Sequence, residues 1–248
     1  MSEKVILITG ASSGIGAATA ELLASQGHPV SLVARRREAL EEVAARCHDR
    51  AQVIVADVTD RPSVRRAAHE AIEKWGRVDV WINNAGQGIT RLPSQLTDDD
   101  IDAMMRANVK SVLYGMQEIL PHFQSRNDGH IINISSLLGR IPFAVFRSAY
   151  CGAKHFVDAL TTMFRSEVQE KYPGIQVTLV SPGVVRTEFG KNALHGGPDS
   201  RELPGSQSAE EVAAVIARVI ASRLPDVYTI PGAQARIGAY YATVGVDP

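Results

Sequence analysis

The chain of 248 residues is 45% apolar and 21% charged, a globular composition that excludes disordered and fibrous classes. Its 26 basic and 27 acidic residues nearly cancel, so no strong overall field favours nucleic acid or an anionic membrane surface. Two cysteines cannot form a disulfide scaffold, no apolar run reaches the length of a membrane span, and the first residues lack a signal-peptide pattern. We therefore expect a soluble cytoplasmic protein that binds neither nucleic acid nor membranes.

Seven short β-branched runs alternate along the chain with longer stretches of helical period. The predicted strands are Val5–Thr9, Val30–Ala34, Gln52–Ala56, Val78–Asn83, His130–Ser135, Ile175–Ser181 and Val227–Ile230. The clearest predicted helices are Ile15–Ser25, Arg37–Cys47, Arg61–Trp75 and Ser208–Ser222. Alternating strands and helices favour right-handed crossovers and a doubly wound parallel sheet with helices on both faces. We expect one α/β domain over residues 1–248, because no linker or internal repeat interrupts the pattern.

The first strand leads directly into a glycine-rich turn with the sequence Thr9-Gly10-Ala11-Ser12-Ser13-Gly14-Ile15-Gly16. Glycines in such a turn let the backbone approach a pyrophosphate, whose charge is stabilised by the N-terminus of the next helix. The spacing Gly-x-x-x-Gly-x-Gly departs from the usual dinucleotide fingerprint, and glycines in a turn also provide flexibility alone. The position between the first strand and the first helix favours a nucleotide site.

Five further segments follow in an order that resembles the classical short-chain dehydrogenases/reductases. These segments are Asn83-Asn84-Ala85-Gly86, Asn108-Val109-Lys110-Ser111, Ile134-Ser135-Ser136-Leu137-Leu138-Gly139, Tyr150-Cys151-Gly152-Ala153-Lys154 and Pro182-Gly183 to Thr187. With the glycine turn they make six motifs between Val5 and about Ile230. One such motif is weak, whereas six in the family's order are specific. The resemblance implies a Rossmann fold of about seven strands and an oxidoreductase that uses a nicotinamide dinucleotide.

The resemblance also implies roles for individual residues. It implies that the catalytic tetrad consists of Asn108, Ser136, Tyr150 and Lys154. It implies a cofactor site formed by Gly10, Ser12, Ser13, Gly14, Ile15, Gly16, Asp57, Val58, Asn84, Ala85, Gly86, Tyr150, Lys154, Pro182, Gly183, Val185 and Thr187. Ser135 is the alternative to Ser136, which we prefer because the family's serine lies three residues before a glycine, here Gly139. No metal site is expected, because the histidines lack ligand spacing.

Elementary chemistry agrees with a role for Tyr150 and Lys154, which lie four residues apart and so share one face of a helix. A free phenol has a pKa of about 10, too high for efficient proton transfer near neutral pH. A nearby ammonium group and the positive ring of an oxidised nicotinamide favour the phenolate and lower that pKa. In the family's scheme Ser136 would hold the substrate oxygen, and Asn108 would anchor a water that links Lys154 to solvent.

Cofactor choice depends on the end of the second strand. An NAD enzyme carries an acid there, about 20 residues beyond the glycine turn, whereas this chain has Ala34 followed by three arginines, Arg35 to Arg37. Cations at the start of a helix oppose its dipole, so they indicate an external anion, here the 2′-phosphate of NADP. Arg35 and Arg36 are the predicted contacts, with Glu38 as the one nearby acid that could replace the missing one. We expect NADPH to be preferred over NADH.

The substrate is expected to be a small secondary alcohol or ketone with an apolar or aromatic body. The pocket walls would come from Gln87–Leu92, Leu137–Phe146 and a mobile substrate loop over residues 188–207. The basic residues of this loop are too far apart to define a phosphate or carboxylate site. A 3-oxoacyl group on a carrier is the alternative substrate, and a catalytically silent nucleotide sensor is the alternative function. A sugar-nucleotide epimerase is disfavoured, because only a short tail follows Ile230.

Two predicted helical segments, Val109–Phe123 and Ala149–Phe164, carry more apolar residues than a single buried stripe requires. In the family the corresponding helices pair with those of a second subunit. The resemblance therefore implies a homodimer or homotetramer, and the alternative is that these residues pack wholly inside one subunit.

Overall fold

The computed structural model describes residues 2–245. The strands within this range are β1 (Ile6–Thr9), β2 (Val30–Ala34), β3 (Ala51–Val55), β4 (Val80–Asn83), β5 (Gly129–Ile134), β6 (Ile175–Ser181) and β7 (Asp226–Tyr228). All pair in parallel, in the order β3-β2-β1-β4-β5-β6-β7. The chain moves outward from β1 in one direction and from β4 in the other, which confirms the predicted doubly wound Rossmann sheet.

Helices cover both faces of this sheet, as the strand–helix alternation predicts. In the described range they are α1 (Gly14–Ser25), α2 (Arg37–Arg46), α3 (Arg61–Trp75), α4 (Asp98–Met104), α5 (Ser111–Arg126), α6 (Ser148–Lys171), α7 (Ala209–Ser222) and α8 (Ala233–Tyr241). Successive side chains of β1 point to opposite faces, so Ile6 and Ile8 pack with α1, α2 and α7. Leu7 packs on the other side with α3, α5 and α6. Two cores result, one on each face of the sheet.

Two elements differ from what the sequence pattern predicts. A π-helical turn, Met105–Lys110, joins α4 to α5, so the predicted segment Val109–Phe123 belongs to a longer helical stretch that begins at Asp98. Helix α8 lies in the expected tail. It escapes a search for apolar periodicity because Ala233 is its one buried residue among those described. Within residues 2–245, no helix is both long and apolar enough to cross a membrane.

Candidate active site

The glycine turn after β1 is packed so closely that side chains do not fit. Gly10 has a φ of +67°, and a Cβ atom there would lie 2.8 Å from Ala85 Cα. A Cβ atom at Gly16 would lie 2.4 Å from the carbonyl oxygen of Gly10 and 2.6 Å from Asn84 Nδ2. Backbone meets backbone at both positions, so the glycines serve close packing rather than flexibility alone.

Polar side chains fasten this turn to the segment after β4. Asn84 Nδ2 donates to the carbonyl oxygens of Thr9 and Gly10, at 3.0 and 3.2 Å. Thr9 Oγ1 accepts from the backbone N–H groups of Asn84 and Ala85, at 3.0 and 3.1 Å. Asn84 thus acts through its side chain as a clamp on the turn. No role for Thr9 is predicted from the sequence. A threonine at the end of an otherwise apolar strand could nevertheless have indicated a side-chain hydrogen bond to a neighbouring backbone.

The N-terminus of α1 faces outward from this turn and retains free donors. Within the described residues, no side chain caps its first backbone N–H groups, and Ser13 precedes the helix in extended conformation. Thr187 approaches from the segment after β6, with its Cγ2 atom 3.0 Å from where a Cβ of Gly14 would lie. Ser12 Oγ accepts from Arg36 Nη2 at 3.3 Å. Uncapped N–H groups, a helix dipole and a narrow glycine-lined approach fit the pyrophosphate of a dinucleotide.

The other residues predicted to contact a cofactor lie along the same edge, at the carboxyl ends of the strands. Asp57 follows β3, where its Oδ1 atom accepts from the backbone and hydroxyl of Thr59 at 2.9 and 2.8 Å, and Val58 packs on the core. The Pro182 carbonyl after β6 accepts from Leu137 N at 2.8 Å. The rest of this set is placed as follows: Arg35 and Arg36 are exposed beyond β2, Ile15 is half-buried in α1, Gly86 is exposed, Gly183 faces Ile230, and Val185 pairs with Gln207.

The four predicted catalytic residues converge beside β5. Ser136 follows this strand, and its side chain lies close enough to the hydroxyl of Tyr150 to affect the pKa of the phenol. Tyr150 and Lys154 lie on the buried face of α6, with Lys154 Nζ 5.6 Å from the centre of the Tyr150 ring. Nζ also donates to the carbonyl of Ile134 at 2.9 Å. The site thus brings a hydroxyl, a phenol and an amine together.

Ser135 and Ser136 point to different environments. The Ser135 hydroxyl is buried and donates to the carboxylate of Asp158 on α6, away from the phenol. Ser136 is the one that reaches Tyr150, and it also accepts from Leu138 N at 3.1 Å. The geometry therefore agrees with the choice of Ser136 made from the position of Gly139.

Asn108 is fully buried in the π-helical turn between α4 and α5. Its amide bonds the backbone of Gln87 in both directions, accepting from N at 3.1 Å and donating to O at 2.9 Å. A Cβ atom at Gly86 would lie 2.9 Å from Asn108 Oδ1 and 3.8 Å from Lys154 Nζ. The missing side chain of Gly86 therefore keeps open the space between the amide and the amine.

Burial controls the proton equilibria of this site. It raises the pKa of the Tyr150 phenol, which is opposite in direction to the lowering expected from a nearby ammonium group, while the Ser136 side chain and the charge of Arg147 act to lower it. Burial also lowers the pKa of Lys154 to about 8, against the effect of the carboxylate of Asp158. The phenol is therefore protonated and the amine predominantly charged at neutral pH.

Asp158 lies behind Lys154, one helical turn further along α6. Burial raises its pKa to about 6, opposed by the bond from Ser135 and by the charges of Arg140 and Lys154. Arg140 Nε lies 2.9 Å from Asp158 Oδ2, although the two are not aligned for a hydrogen bond. The sequence analysis did not include Asp158, whose spacing of four residues from Lys154 is the signal that could have identified it.

The segment after Thr187 covers the phenol. The ring of Phe189 meets that of Tyr150 edge-on, with centres 5.6 Å apart. Leu194 exchanges backbone bonds with Gly88 and Thr90, both at 2.9 Å. His195 Nε2 lies 2.7 Å from Asp100 Oδ1 at the start of α4, so the loop is attached to two other segments at Leu194 and His195.

The predicted pocket wall Leu137–Phe146 divides into two parts. Leu137 and Ile141 are buried, whereas Phe143, Val145 and Phe146 are 48%, 64% and 39% exposed. An apolar run does not reveal by itself which of its side chains turn inward. Leu137 and Ile141 therefore lie inside the fold, whereas Phe143, Val145 and Phe146 lie at its surface.

Arg147 is the charged residue of this region that the sequence analysis missed. It precedes α6 and is only 8% exposed, with Nη1 donating to the carbonyl of Ile89 at 2.9 Å. The loop's Arg201, by contrast, pairs with Asp199 at 2.6 Å. This buried arginine near Tyr150 thus comes from the residue that precedes α6 rather than from the loop. No group of three or more metal-ligating side chains occurs among residues 2–245.

Known proteins resemble this chain in sequence and in fold. A family model described as short chain dehydrogenase matches residues 4–196. An uncharacterized oxidoreductase of Staphylococcus saprophyticus is 38% identical over 190 residues, which are 76% of this chain and 77% of that protein.

Solved structures extend the likeness over nearly the whole chain. A short-chain dehydrogenase/reductase from Burkholderia phymatum in complex with NAD has a TM-score of 0.89 at 25% identity, covering 99% of this chain and 97% of its own. A short-chain dehydrogenase from Sphingobium yanoikuyae in complex with NADPH has a TM-score of 0.83 at 30% identity, covering 96% and 92%. The chain belongs to the classical short-chain dehydrogenase/reductase family of oxidoreductases.

Proposed function

We propose that this protein interconverts a secondary alcohol and a ketone with NADP(H), using Tyr150 as the group that gives and takes the proton. The observation that carries this proposal is the meeting of Ser136, Tyr150 and Lys154 beside a glycine turn built for a dinucleotide. NADPH, when bound, would supply the hydride to the carbonyl carbon. A catalytically silent nucleotide sensor would not need a phenol, a hydroxyl and an amine in contact.

Each side chain then has a definite task. Ser136 and Tyr150 hold the carbonyl oxygen, and the raised pKa of the buried phenol keeps its proton available for ketone reduction. The charged amine of Lys154 stabilises the phenolate that remains after proton transfer. Asn108 and the space beside Gly86 provide a place for water next to Lys154, through which the proton can be replaced from solvent.

The preference for NADP rests on Arg35 and Arg36. Both are exposed beyond β2, where neither forms an ion pair among the described residues, and Arg36 already reaches Ser12 of the glycine turn. Glu38 is the alternative, an exposed acid in the first turn of α2. Two cations at a helix start favour a phosphate over the ribose hydroxyl that an acid would bind.

The substrate pocket is proposed to lie under Phe189, with the loop over residues 188–207 opening to admit a ketone and closing during turnover. A ketone with an apolar body fits a site lined by Leu137, Ile141 and Phe189.

A panel of ketones and secondary alcohols, followed by the absorbance of NADPH or NADH, tests the function. Turnover of aryl or alkyl ketones with NADPH should be well above that with NADH. The panel includes a 3-oxoacyl thioester, since a carrier-linked chain is the alternative substrate. Cofactor binding without turnover of any compound would instead identify a nucleotide sensor.

A homodimer or homotetramer is proposed from the face formed by α4 and α6. The apolar residues of α5 pack inside the described chain, whereas Ile101, Phe156 and Met163 are 43%, 50% and 63% exposed. A second copy of the chain would cover them.

Sedimentation velocity should show a species larger than 26.8 kDa, and the double substitution Phe156→Glu and Met163→Glu should lower the fraction of this larger species. Leu224→Glu, at a position 52% exposed after α7, is the control. A wild-type species of 26.8 kDa would contradict assembly.

A further inference from the structure

Arg147 occupies an unfavourable position for a charged side chain. Its guanidinium is withdrawn from water, with 8% of the residue exposed, and it forms no ion pair with any carboxylate in residues 2–245. Arginine is rarely buried without a partner, because a desolvated charge is costly. It also lies at the N-terminal end of α6, where the helix dipole opposes a cation. One bond to the Ile89 carbonyl offsets only part of this cost.

The hydroxyl of Thr90 also lacks a partner among the described residues. Thr90 Oγ1 is sealed from solvent and has no hydrogen-bond partner within the described chain. A Cβ atom at Gly197 would lie 2.6 Å from this oxygen and 3.1 Å from Arg147 Nη2. The hydroxyl and the guanidinium therefore both lie against Gly197, together with the carbonyl oxygen of Gly190, which would be 2.7 Å from the same Cβ. The loop comes this close because Gly197 has no side chain, and a ligand can reach the two donors only when this part of the loop moves aside.

Phe189 lies close to both Arg147 and the proposed proton donor, Tyr150. A Cβ atom at Gly88 would lie 2.7 Å from Arg147 Nη1 and 3.0 Å from Phe189 Cε1. The Phe189 ring in turn meets Tyr150. The guanidinium and the phenol thus both lie close to the ring of Phe189.

We propose that, when the loop over residues 188–207 opens, Arg147 and Thr90 bind a carboxylate of the substrate, so that the ketone reduced at Tyr150 is an oxo acid with an apolar body. The planar guanidinium matches the two oxygens of a carboxylate, and the threonine hydroxyl donates a further bond. One cation and one hydroxyl suit a monoanion better than a phosphate dianion. The rings of Phe146, 5.6 Å from the guanidinium carbon, and Phe189 provide apolar contact for the rest of the molecule. This inference rests on the proposed function.

Two simpler roles for Arg147 would give different results. As a structural pin, it would only hold the Ile89 carbonyl and so the loop. As an electrostatic partner of the Tyr150 phenolate, it would help every ketone equally and shift the pH profile of turnover. A carboxylate site instead affects acidic ketones selectively, so paired acid and ester substrates separate the three roles.

The test uses three aryl oxo acids of increasing length, each paired with its methyl ester: 2-oxo-2-phenylacetate, 4-oxo-4-phenylbutanoate and 6-oxo-6-phenylhexanoate. For at least one pair, kcat/KM with NADPH should favour the acid. Arg147→Met should then lower that value by about 10- to 150-fold, the range for a lost bond to a charged group, with little change for the ester. Arg147→Lys should restore part of it, and Thr90→Val should give a smaller, acid-selective loss. Arg201→Met, which removes a loop arginine paired with Asp199, is the matched control.

Calorimetric binding of the same acids to protein saturated with NADP+ separates this inference from the proposed function. Arg147-dependent binding of an acid supports the carboxylate site even if no ketone is reduced. Equal losses for acid and ester, or no effect of Arg147→Met on any acid in either measurement, would overturn it. Ketone turnover can persist in that case, which would leave the proposed function intact.

Discussion

The two sides of the candidate site are held together in different ways. On the cofactor side, the turn after β1 and the segment after β4 touch through backbone atoms, with Gly10 and Gly16 leaving no room for a Cβ. On the substrate side, charged and aromatic side chains from distant segments meet: Phe189 lies on Tyr150, and His195 contacts Asp100. Backbone packing tolerates almost no substitution, whereas side-chain contacts can be exchanged. The cofactor side is therefore expected to be the rigid one, and the substrate side the one that sets specificity.

The largest effect is expected from Gly16→Ala. Its Cβ would lie 2.4 Å from the Gly10 carbonyl, so the turn must shift, at a cost of about 1–3 kcal/mol in the free energy of unfolding. Displacing two bonds to phosphate, each worth about 1.5–3 kcal/mol, should raise the Kd for NADPH more than about 100-fold. Calorimetry and thermal unfolding measure both.

Gly238→Ala is the control for that change. No described atom lies within 4 Å of a Cβ at this helical glycine of α8. Stability should stay the same or rise by about 0.5–1 kcal/mol, with unchanged NADPH binding. Equal behaviour of the two variants would contradict the view that the turn is rigid.

This difference between the two sides also explains how much the sequence could predict. The glycine turn and the spacing of Tyr150 and Lys154 are local patterns, so the sheet and the six motifs could be found without coordinates. The bond of Arg147 to Ile89 spans 58 residues, and that of His195 to Asp100 spans 95. No period or spacing encodes such pairs, which depend on how loops return over the sheet.

The next largest effect is expected where the 2′-phosphate of NADPH is proposed to bind. Replacing Arg35 and Arg36 together by Ser should raise the KM for NADPH by about 10- to 150-fold, because bonds to a charged phosphate are lost. The KM for NADH should change little. Arg37→Ser is the matched control, since Arg37 faces Glu41 within α2 at 3.7 Å. A wild-type protein that binds NADH more tightly than NADPH would contradict the NADP preference.

A smaller effect is expected from Asp158→Asn, which keeps the shape of the side chain but removes its charge. The carboxylate raises the pKa of Lys154, so without it this pKa falls below about 8. The alkaline decline of kcat/KM should therefore move about 1 pH unit lower. Asp226→Asn is the control, because Asp226 shares Arg140 with Asp158, at 2.5 Å, and is not among the charges that shift Lys154. Identical pH profiles for wild type and Asp158→Asn would refute this role.

Unfolding gives a second readout of the same charge. The raised pKa of Asp158, about 6, means that the folded protein holds a proton which the unfolded chain releases. Its stabilising contribution is present below about pH 4 and is lost as pH rises through about 6. The free energy of unfolding of Asp158→Asn should therefore lack this decline.

Tyr150→Phe, measured for turnover and for NADPH binding in the same preparation, tests most directly whether Tyr150 is the proton donor. The substitution keeps the ring that meets Phe189 and removes the hydroxyl that lies beside Ser136. Turnover of the best ketone should fall by about 10²–10⁴-fold, the usual contribution of a general acid. The Kd for NADPH should remain close to that of the wild type. A variant that reduces the ketone at the wild-type rate would contradict Tyr150 as the proton donor.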